Sequence, residues 1–431
     1  MASTPTQADR LRLSRRVESL RPSSTLAVAA KAKALELAGK QILTFSTGEP
    51  DFDTPEPIKQ AVWKAIQAGR TGYGAVPGSL DARKLIADRF ARENGIDTSP
   101  DHIVISAGGK HCLYNIIQAL VDPPKPGEQP AEAILPVPAW VSYAPQAELA
   151  GAKVIEVDTT PDSGFRMSPE QLEAAITPNT RLLFLNSPSN PCGTMYTPDD
   201  LRTLAAVVER AANTIAPNLV VISDEIYDKL IYPELAPNET VEHFSIGSIP
   251  AIAERVITVN GLSKTYAMTG WRLGYFTGSG QYGLDVAKGA AKLQAQSTTA
   301  VPDFFMPAFD AAFSACDAIV EERRRAFASR GKLMHDMLSN IPGLVTPAPV
   351  GAFYCFPDVS AHFGKRSPNG ALIVSAMSFA AALLEEHLVA VVPGEDFGGA
   401  GANCCRLTFA CNEAQITQGV ERVGAFVASL K

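Results

Sequence analysis

The chain of 431 residues contains no apolar run near the ~18 residues that crossing a bilayer requires. Its first sixteen residues, MASTPTQADRLRLSRR, lack the apolar centre of a secretory signal. Their Ser, Thr and Arg content leaves an organelle-targeting reading open, while Asp9 and the shortness of the segment favour a flexible arm. Cysteine is scarce and odd in number, seven in all, with Cys404 and Cys405 adjacent and no C-x-x-C pair, which excludes a disulfide framework and a zinc ribbon. A reducing, cytoplasmic setting is the expectation. The six histidines form neither H-E-x-x-H nor a close pair, so no protein-bound metal is expected. Long runs of one charge are missing too: 38 basic residues stand against 45 acidic ones, for a net charge of −7. Such a surface gives no electrostatic reason to bind nucleic acid or an anionic membrane. Small-molecule chemistry and protein partners remain.

What is present is an alternation of short apolar runs and longer helical patterns. Strands are predicted at 102–106 (HIVIS), 132–137 (EAILPV), 153–157 (KVIEV), 181–186 (RLLFLN), 219–223 (LVVIS), 255–260 (RVITVN) and 271–276 (WRLGYF). Their apolar character is nearly continuous, as in strands covered by helices on both faces, so a mostly parallel α/β sheet of seven strands is expected. Helices are expected over 56–68, after the cap and early proline Thr54-Pro55, and after Thr197-Pro198, where Leu201, Leu204, Ala205 and Val208 share a face. Toward the end, 352–356, 388–392 and 405–410 read as strands of a smaller α+β lobe, closed by a helix that aligns Ile416, Val420, Val423 and Val427. The expected division is an arm plus part of the small domain over 1–60, a large domain over 61–335 and the small C-terminal domain over 336–431. The stretches 122–131 and 232–254, rich in turn-forming residues, are predicted loops.

The chemistry concentrates in NGLSKTYAMTGWRLGY, residues 260–275, at the end of a predicted strand. A lysine there, Lys264, becomes a nucleophile if desolvation and neighbouring cations favour its neutral amine. Ser263 offers a hydroxyl and Arg272 a fork of donors for phosphate oxygens. An amine beside a phosphate anchor is what pyridoxal phosphate requires. In SAGGKHCLYN, 106–115, a strand passes into a helix, so the backbone donors of Gly109 and Lys110 open an anion-binding helix end. SDEIYDKLIY, 223–232, puts Asp224 at the end of a buried strand, where a carboxylate keeps a pyridine nitrogen protonated; taken alone, Asp224 reads first as a helix cap. Tyr227 lies three residues on. Arg406, in the apolar strand CRLTFA, carries a planar guanidinium suited to clamping a carboxylate.

The segment G-L-S-K-x-x-A-M-x-G-x-R-L-G closely resembles the lysine motif of the class I/II aminotransferases, of the fold type I pyridoxal-phosphate superfamily. The likeness runs from 13–35 to Arg406 and the closing helix, and GEPDFDTP, GGK, WVSY, SDEIY and AMTGWRLGY point to the bacterial-type aspartate and aspartate/prephenate branch. The resemblance implies that Lys264 holds pyridoxal phosphate as a Schiff base, with Asp224, Tyr227 and Asn190 (in NSPSNPCG, 186–193) on the ring and Trp140 stacked on its face. It implies that Tyr73 serves the partner's phosphate in a homodimer, and that Arg406 and the backbone of Gly48 receive the α-carboxylate. Lys110 and Thr25 match residues that receive acidic substrates in that branch. The expected reaction is amino transfer between an amino acid, aspartate or another acidic one, and a 2-oxo acid. Another fold type I enzyme (an aromatic or branched-chain aminotransferase, or a β-lyase) is the alternative. Cys192 stands where threonine is common, and the stretches near 122–131 and 232–254 are longer than usual. GSGQYG, 278–283, has the form of a dinucleotide fingerprint, but no acidic residue lies at 298–302, near the ~20-residue offset where ribose is gripped, so a loop is expected.

Overall fold

The structure is a computed structural model that describes residues 13–18, 20 and 24–431, without the side chains of 24–27 and 29. Of the expected arm, residues 1–16, the first twelve lie outside the described residues, and Arg15 and Arg16 begin a short helix, Arg15–Glu18. The strands are β1 (Leu43–Thr44), β2 (Val104–Ala107), β3 (Glu132–Val137), β4 (Lys153–Asp158), β5 (Thr180–Asn186), β6 (Val220–Asp224), β7 (Val256–Gly261), β8 (Leu273–Gly278), β9 (Tyr354–Cys355), β10 (Val389–Ala390), β11 (Val392–Pro393) and β12 (Cys405–Thr408). Seven of them form one sheet in the order β2-β8-β7-β6-β5-β3-β4. All pairings in it are parallel except those of β8, which runs against both β2 and β7. The seven strands expected from the apolar runs are therefore all present.

Alternate residues of each strand serve two cores. On β5, Leu182 and Phe184 pack with the helices Gly109–Leu120, Tyr143–Ala150 and Gly280–Ala295. Leu183 and Leu185 face the other way, onto the helix Pro198–Ala212. That helix starts in a capping box between Thr197 and Asp200, and Leu201, Leu204, Ala205 and Val208 are buried as their spacing predicts. Edge strand β4 departs from the continuous-burial pattern, since its residues are half-buried or exposed.

Two local expectations change. The helix Glu56–Gln67 is capped by Pro55 rather than by a side chain, and Thr54 is used elsewhere: its hydroxyl donates to Ala267 O and accepts from the Trp271 indole, each at 3.0 Å. Residues 278–283 are a tight strand-to-helix turn rather than a loop. A Cβ at Gly280 would meet the Glu254 carboxylate at 2.5 Å, and this negative charge opposes a pyrophosphate there. The 232–254 connection is the loop expected, and it is pinned to the residue that follows β6: His243 reaches Glu225 at 3.1 Å, and Ile246 is buried.

In the C-terminal part, β11-β12-β9 is antiparallel and β1 pairs in parallel with β10. One core joins Phe45, after β1, to Phe353, Leu383, Leu407, Ile416, Val420 and Val423. The closing helix Glu413–Ser429 buries the four residues its periodicity selected. Among the described residues no helix is long and apolar enough to cross a membrane.

Candidate active site

Strands β3, β5, β6 and β7 are mutually parallel, and β2, antiparallel to β8, shares their direction, so the carboxyl ends of all five open on one edge. Such an edge is where open α/β sheets hold ligands. Lys264 lies in the return from β7 to the antiparallel β8. The return is wound tightly by Tyr266 N–H to Leu262 O (3.2 Å) and Met268 N–H to Ser263 O (3.0 Å). Lys264 Nζ donates to Gly48 O at 2.6 Å and stands 5.7 Å from the Phe353 ring. Burial pushes its pKa down to about 8; Glu49 opposes this, while the charges of Arg406 and Arg272 reinforce it.

At one end of this edge an anion seat is assembled. Gly108, at φ +86, turns the chain from β2 into the helix Gly109–Leu120. His111 and Cys112 N–H bond to Gly108 O at 3.0 and 3.1 Å, so the N–H groups of Gly109 and Lys110 are left at the helix end. A Cβ at Gly108 would stand 2.3 Å from Arg272 Nη2. Arg272, itself at φ +56, donates to Thr269 O (2.7 Å) and Ala107 O (3.4 Å), and Ser263 is buried nearby in the chain. The glycine after Arg272 has a reason as well: a Cβ at Gly274 would lie 2.3 Å from Gly109 N, so only glycine lets β8 approach the helix end.

Deeper, Asp224 is buried at the end of β6. Oδ2 accepts the Tyr143 hydroxyl at 2.7 Å and Oδ1 accepts Ile226 N–H at 3.2 Å. Burial pushes this carboxyl up to about 6, against the pull of both donors. Tyr227, also buried, shares a hydrogen bond with Tyr354 at 3.1 Å between hydroxyls. Trp140 meets Tyr143 edge to face at 5.3 Å, and the exposed Lys110 places its ammonium 5.0 Å from the Trp140 ring.

The small lobe closes the other side. Arg406 on β12 is 5% exposed, donates from Nη1 to Asn190 Oδ1 (3.0 Å) and from Nη2 to Ser46 O (2.9 Å), and leaves Nε buried without an acceptor. Its guanidinium lies 4.7 Å from the Tyr354 ring and 5.3 Å from Phe397. Asn190 N–H bonds back to Asn186 Oδ1 at 2.9 Å, and Asn186 Nδ2 donates to Asp224 O at 3.0 Å. Gly193, at φ +71, allows the Asn-Pro turn to touch β9, for a Cβ there would fall 2.0 Å from Tyr354 O. Cys192 is buried in a small apolar cluster with Phe165, Phe356 and Phe397.

Of the residues singled out in the sequence, Lys264 is joined directly to Gly48, and Arg406 to Asn190 and through it to the β6 end. Gly109, Lys110 and Arg272 gather at the helix end, Ser263 is buried in the return next to Lys264, and Trp140, Asp224 and Tyr227 lie inward. Tyr73 is not among them: its ring is 96% exposed on the chain's own surface. The side chain of Thr25 lies outside those described. Sequence reasoning missed Tyr143, Tyr354, Phe397 and Ser46. Tyr143 stood inside the noted motif WVSY, Ser46 opens STGEPDFDTP and Tyr354 lies in the predicted strand 352–356, but no local signal marked any of the four as part of the site.

A lysine of lowered basicity, a helix end beside Arg272, a buried carboxylate and a buried guanidinium with an open donor are groups suited to amino-group chemistry on carboxylate substrates. The chain belongs to the family "Aminotransferase class I and II", whose sequence model matches residues 40–423, and it is an aminotransferase. It is 39% identical over 411 residues to an aspartate/prephenate aminotransferase of Cereibacter sphaeroides, covering 95% of this chain and 97% of that one. The crystal structure of the aspartate aminotransferase from Rhizobium meliloti superposes with a TM-score of 0.89 at 35% identity, covering 98% and all of that chain (100%). That of Thermus thermophilus with maleate superposes at 0.85, with 38% identity and coverage of 97% and 100%.

Proposed function

We propose that this aminotransferase uses pyridoxal 5′-phosphate to move an amino group between aspartate, or a related acidic amino acid, and a 2-oxo acid such as 2-oxoglutarate. The observation that carries the cofactor reading is the joint presence of the lysine, the anion seat and the buried acid. The residues fit the group: the Gly108 seat has no side chain to fill it, and Asp224 offers a buried negative charge to a ring nitrogen. Arg406 Nε awaits an acceptor. When bound, the cofactor supplies an aldehyde for covalent attachment and a ring that withdraws electrons from the substrate's α-carbon.

The chain's own residues do the rest. Gly109, Lys110, Ser263 and Arg272 hold the phosphate, and Tyr73, exposed on this chain's surface, reaches the partner's site in a homodimer. Asp224 keeps the ring nitrogen protonated, while Tyr227 and the Asn190 amide donate to the ring oxygen; the bond from Arg406 to Asn190 Oδ1 leaves that amide's Nδ2 free to do so. Trp140 covers the ring face. Arg406 and the Gly48 backbone orient the α-carboxylate. Lys264 Nζ takes the α-proton as base and returns it as acid, a contribution of roughly 10²–10⁴-fold. Lys110 and Thr25 receive the distal carboxylate in this reading, and the relatives named for aspartate and the neighbour crystallised with maleate support an acidic substrate. The parallel pairing of β1 with β10 supports grouping residues 1–60 with the small domain 336–431, around a large domain 61–335. Seven free cysteines suit the cytoplasm.

Two measurements test the reading. Borohydride reduction of protein saturated with pyridoxal phosphate, followed by peptide mapping, is expected to label Lys264; a label elsewhere ends the cofactor assignment. In half-reactions followed by cofactor absorbance, aspartate and glutamate are expected to react far faster than alanine or leucine, and Lys110→Ala to narrow the gap. Equal rates for all four amino acids would refute the acidic substrate.

A further inference from the structure

Tyr143 is 2% exposed and held on several sides. Its ring stacks on Phe184 at 5.2 Å with the planes 26° apart, meets Trp140 edge-on, and its N–H bonds to Trp140 O at 3.1 Å. This packing leaves the hydroxyl aimed at Asp224 Oδ2, 2.7 Å away, while the Ile226 N–H occupies Oδ1 at 3.2 Å. Hydrogen bonds to a charged acceptor are about twice as strong as neutral ones, and burial excludes water as a substitute.

We propose that Tyr143 is a positioning residue for Asp224: its hydroxyl donates to the ionised carboxylate, fixing its plane and favouring the form that a protonated ring nitrogen requires. The inference rests on the cofactor reading above. The neighbouring groups make the assignment specific. Burial and the adjacent Asp224 hold the Tyr143 phenol well above its ordinary range, so it stays a donor. Burial also keeps the Tyr227 phenol and the Cys112 thiol neutral, the latter pushed up to about 12. Of the charged neighbours, Glu225 raises the Asp224 carboxyl and Lys264 lowers it, both through space. Tyr143 is the side chain that donates a hydrogen bond to the carboxylate.

The test is Tyr143→Phe, which keeps the ring and its stacking. In cofactor-free full-length protein with carbon-13 at the aspartate carboxyls, the Asp224 resonance, identified by its loss in Asp224→Asn, is expected to titrate about one to two pH units higher in the variant. Pyridoxal phosphate measured by equilibrium dialysis should bind roughly ten- to hundredfold more weakly. The kcat with aspartate should fall while its KM changes little. An unchanged Asp224 titration overturns the proposal. So does an equal loss of cofactor affinity when Tyr143→Phe is added to Asp224→Asn, which would mean that the ring acts by packing alone. Failure of the wild type to take up pyridoxal phosphate would sink the cofactor reading instead, and the carboxyl titration still reports on Tyr143.

Discussion

Replacing Arg406 by lysine keeps a positive charge on β12 and removes the fork that the site is built around. In the structure the two terminal nitrogens are already committed at 3.0 Å to Asn190 Oδ1 and 2.9 Å to Ser46 O, with the guanidinium plane supported 4.7 Å from the Tyr354 ring. These contacts hold the group in one orientation, with Nε buried and lacking an acceptor. A lysine ammonium is a rotating point charge that cannot satisfy both protein acceptors and still offer two parallel bonds to a carboxylate. At least one charge-assisted bond is lost, roughly 1.5–3 kcal/mol, or about 10- to 150-fold in kcat/KM at ~1.4 kcal/mol per tenfold. Because the α-carboxylate is common to every substrate, the loss should be of the same size for aspartate, glutamate, alanine and 2-oxoglutarate. Single-turnover half-reactions measure it for each, and equilibrium dialysis with pyridoxal phosphate provides the control, which should not move. A loss confined to acidic substrates would show that Arg406 reads the side-chain carboxylate, and a loss of cofactor affinity would show that it belongs to the ring; either result refutes the reasoning.

Two further perturbations act on the cofactor end. Gly108→Ala places a Cβ 2.3 Å from Arg272 Nη2 at a φ of +86, so the guanidinium must move away from the helix end. Weakening of pyridoxal phosphate by roughly tenfold or more is expected from one lost charge-assisted bond, measured by dialysis, and wild-type affinity would remove the anion seat from the explanation. For Lys264 the sign follows from the lowered pKa of about 8: the amine is mainly ammonium at neutral pH and becomes the nucleophile above 8. The uptake rate of pyridoxal phosphate by cofactor-free protein should climb about tenfold per pH unit below that value and level off above it. A midpoint near the ordinary lysine value would mean that burial does not lower the amine's basicity.

How much was legible in the sequence follows from the range of the forces involved. The seven strands of the large sheet were readable because burial on both faces writes a continuous apolar run, and the helix at 198 because capping and periodicity are local. Lys264, Asp224, Asn190 and Arg406 could be singled out because each sits in a short motif. The Thr54 cap was misread for the opposite reason. Its hydroxyl bonds to Ala267 and Trp271, more than two hundred residues away, and nothing near Thr54 announces that. Residues 278–283 matched a pattern whose meaning depends on what faces it, here the carboxylate of Glu254.

The sequence alone determined the α/β class, the aminotransferase family and the motifs that bear its chemistry, because these are carried by local periodicity and residue type. Only the tertiary structure decided that Tyr143 meets Asp224, that Tyr354 lies against Tyr227 and Arg406, and that Arg406 grips Asn190 across 216 residues of chain. The Tyr143 contact forms where the helix Tyr143–Ala150 packs on the large sheet, and the others where β9 and β12 meet the ends of its strands. No local pattern encodes them, since their partners are brought together by the packing of whole elements.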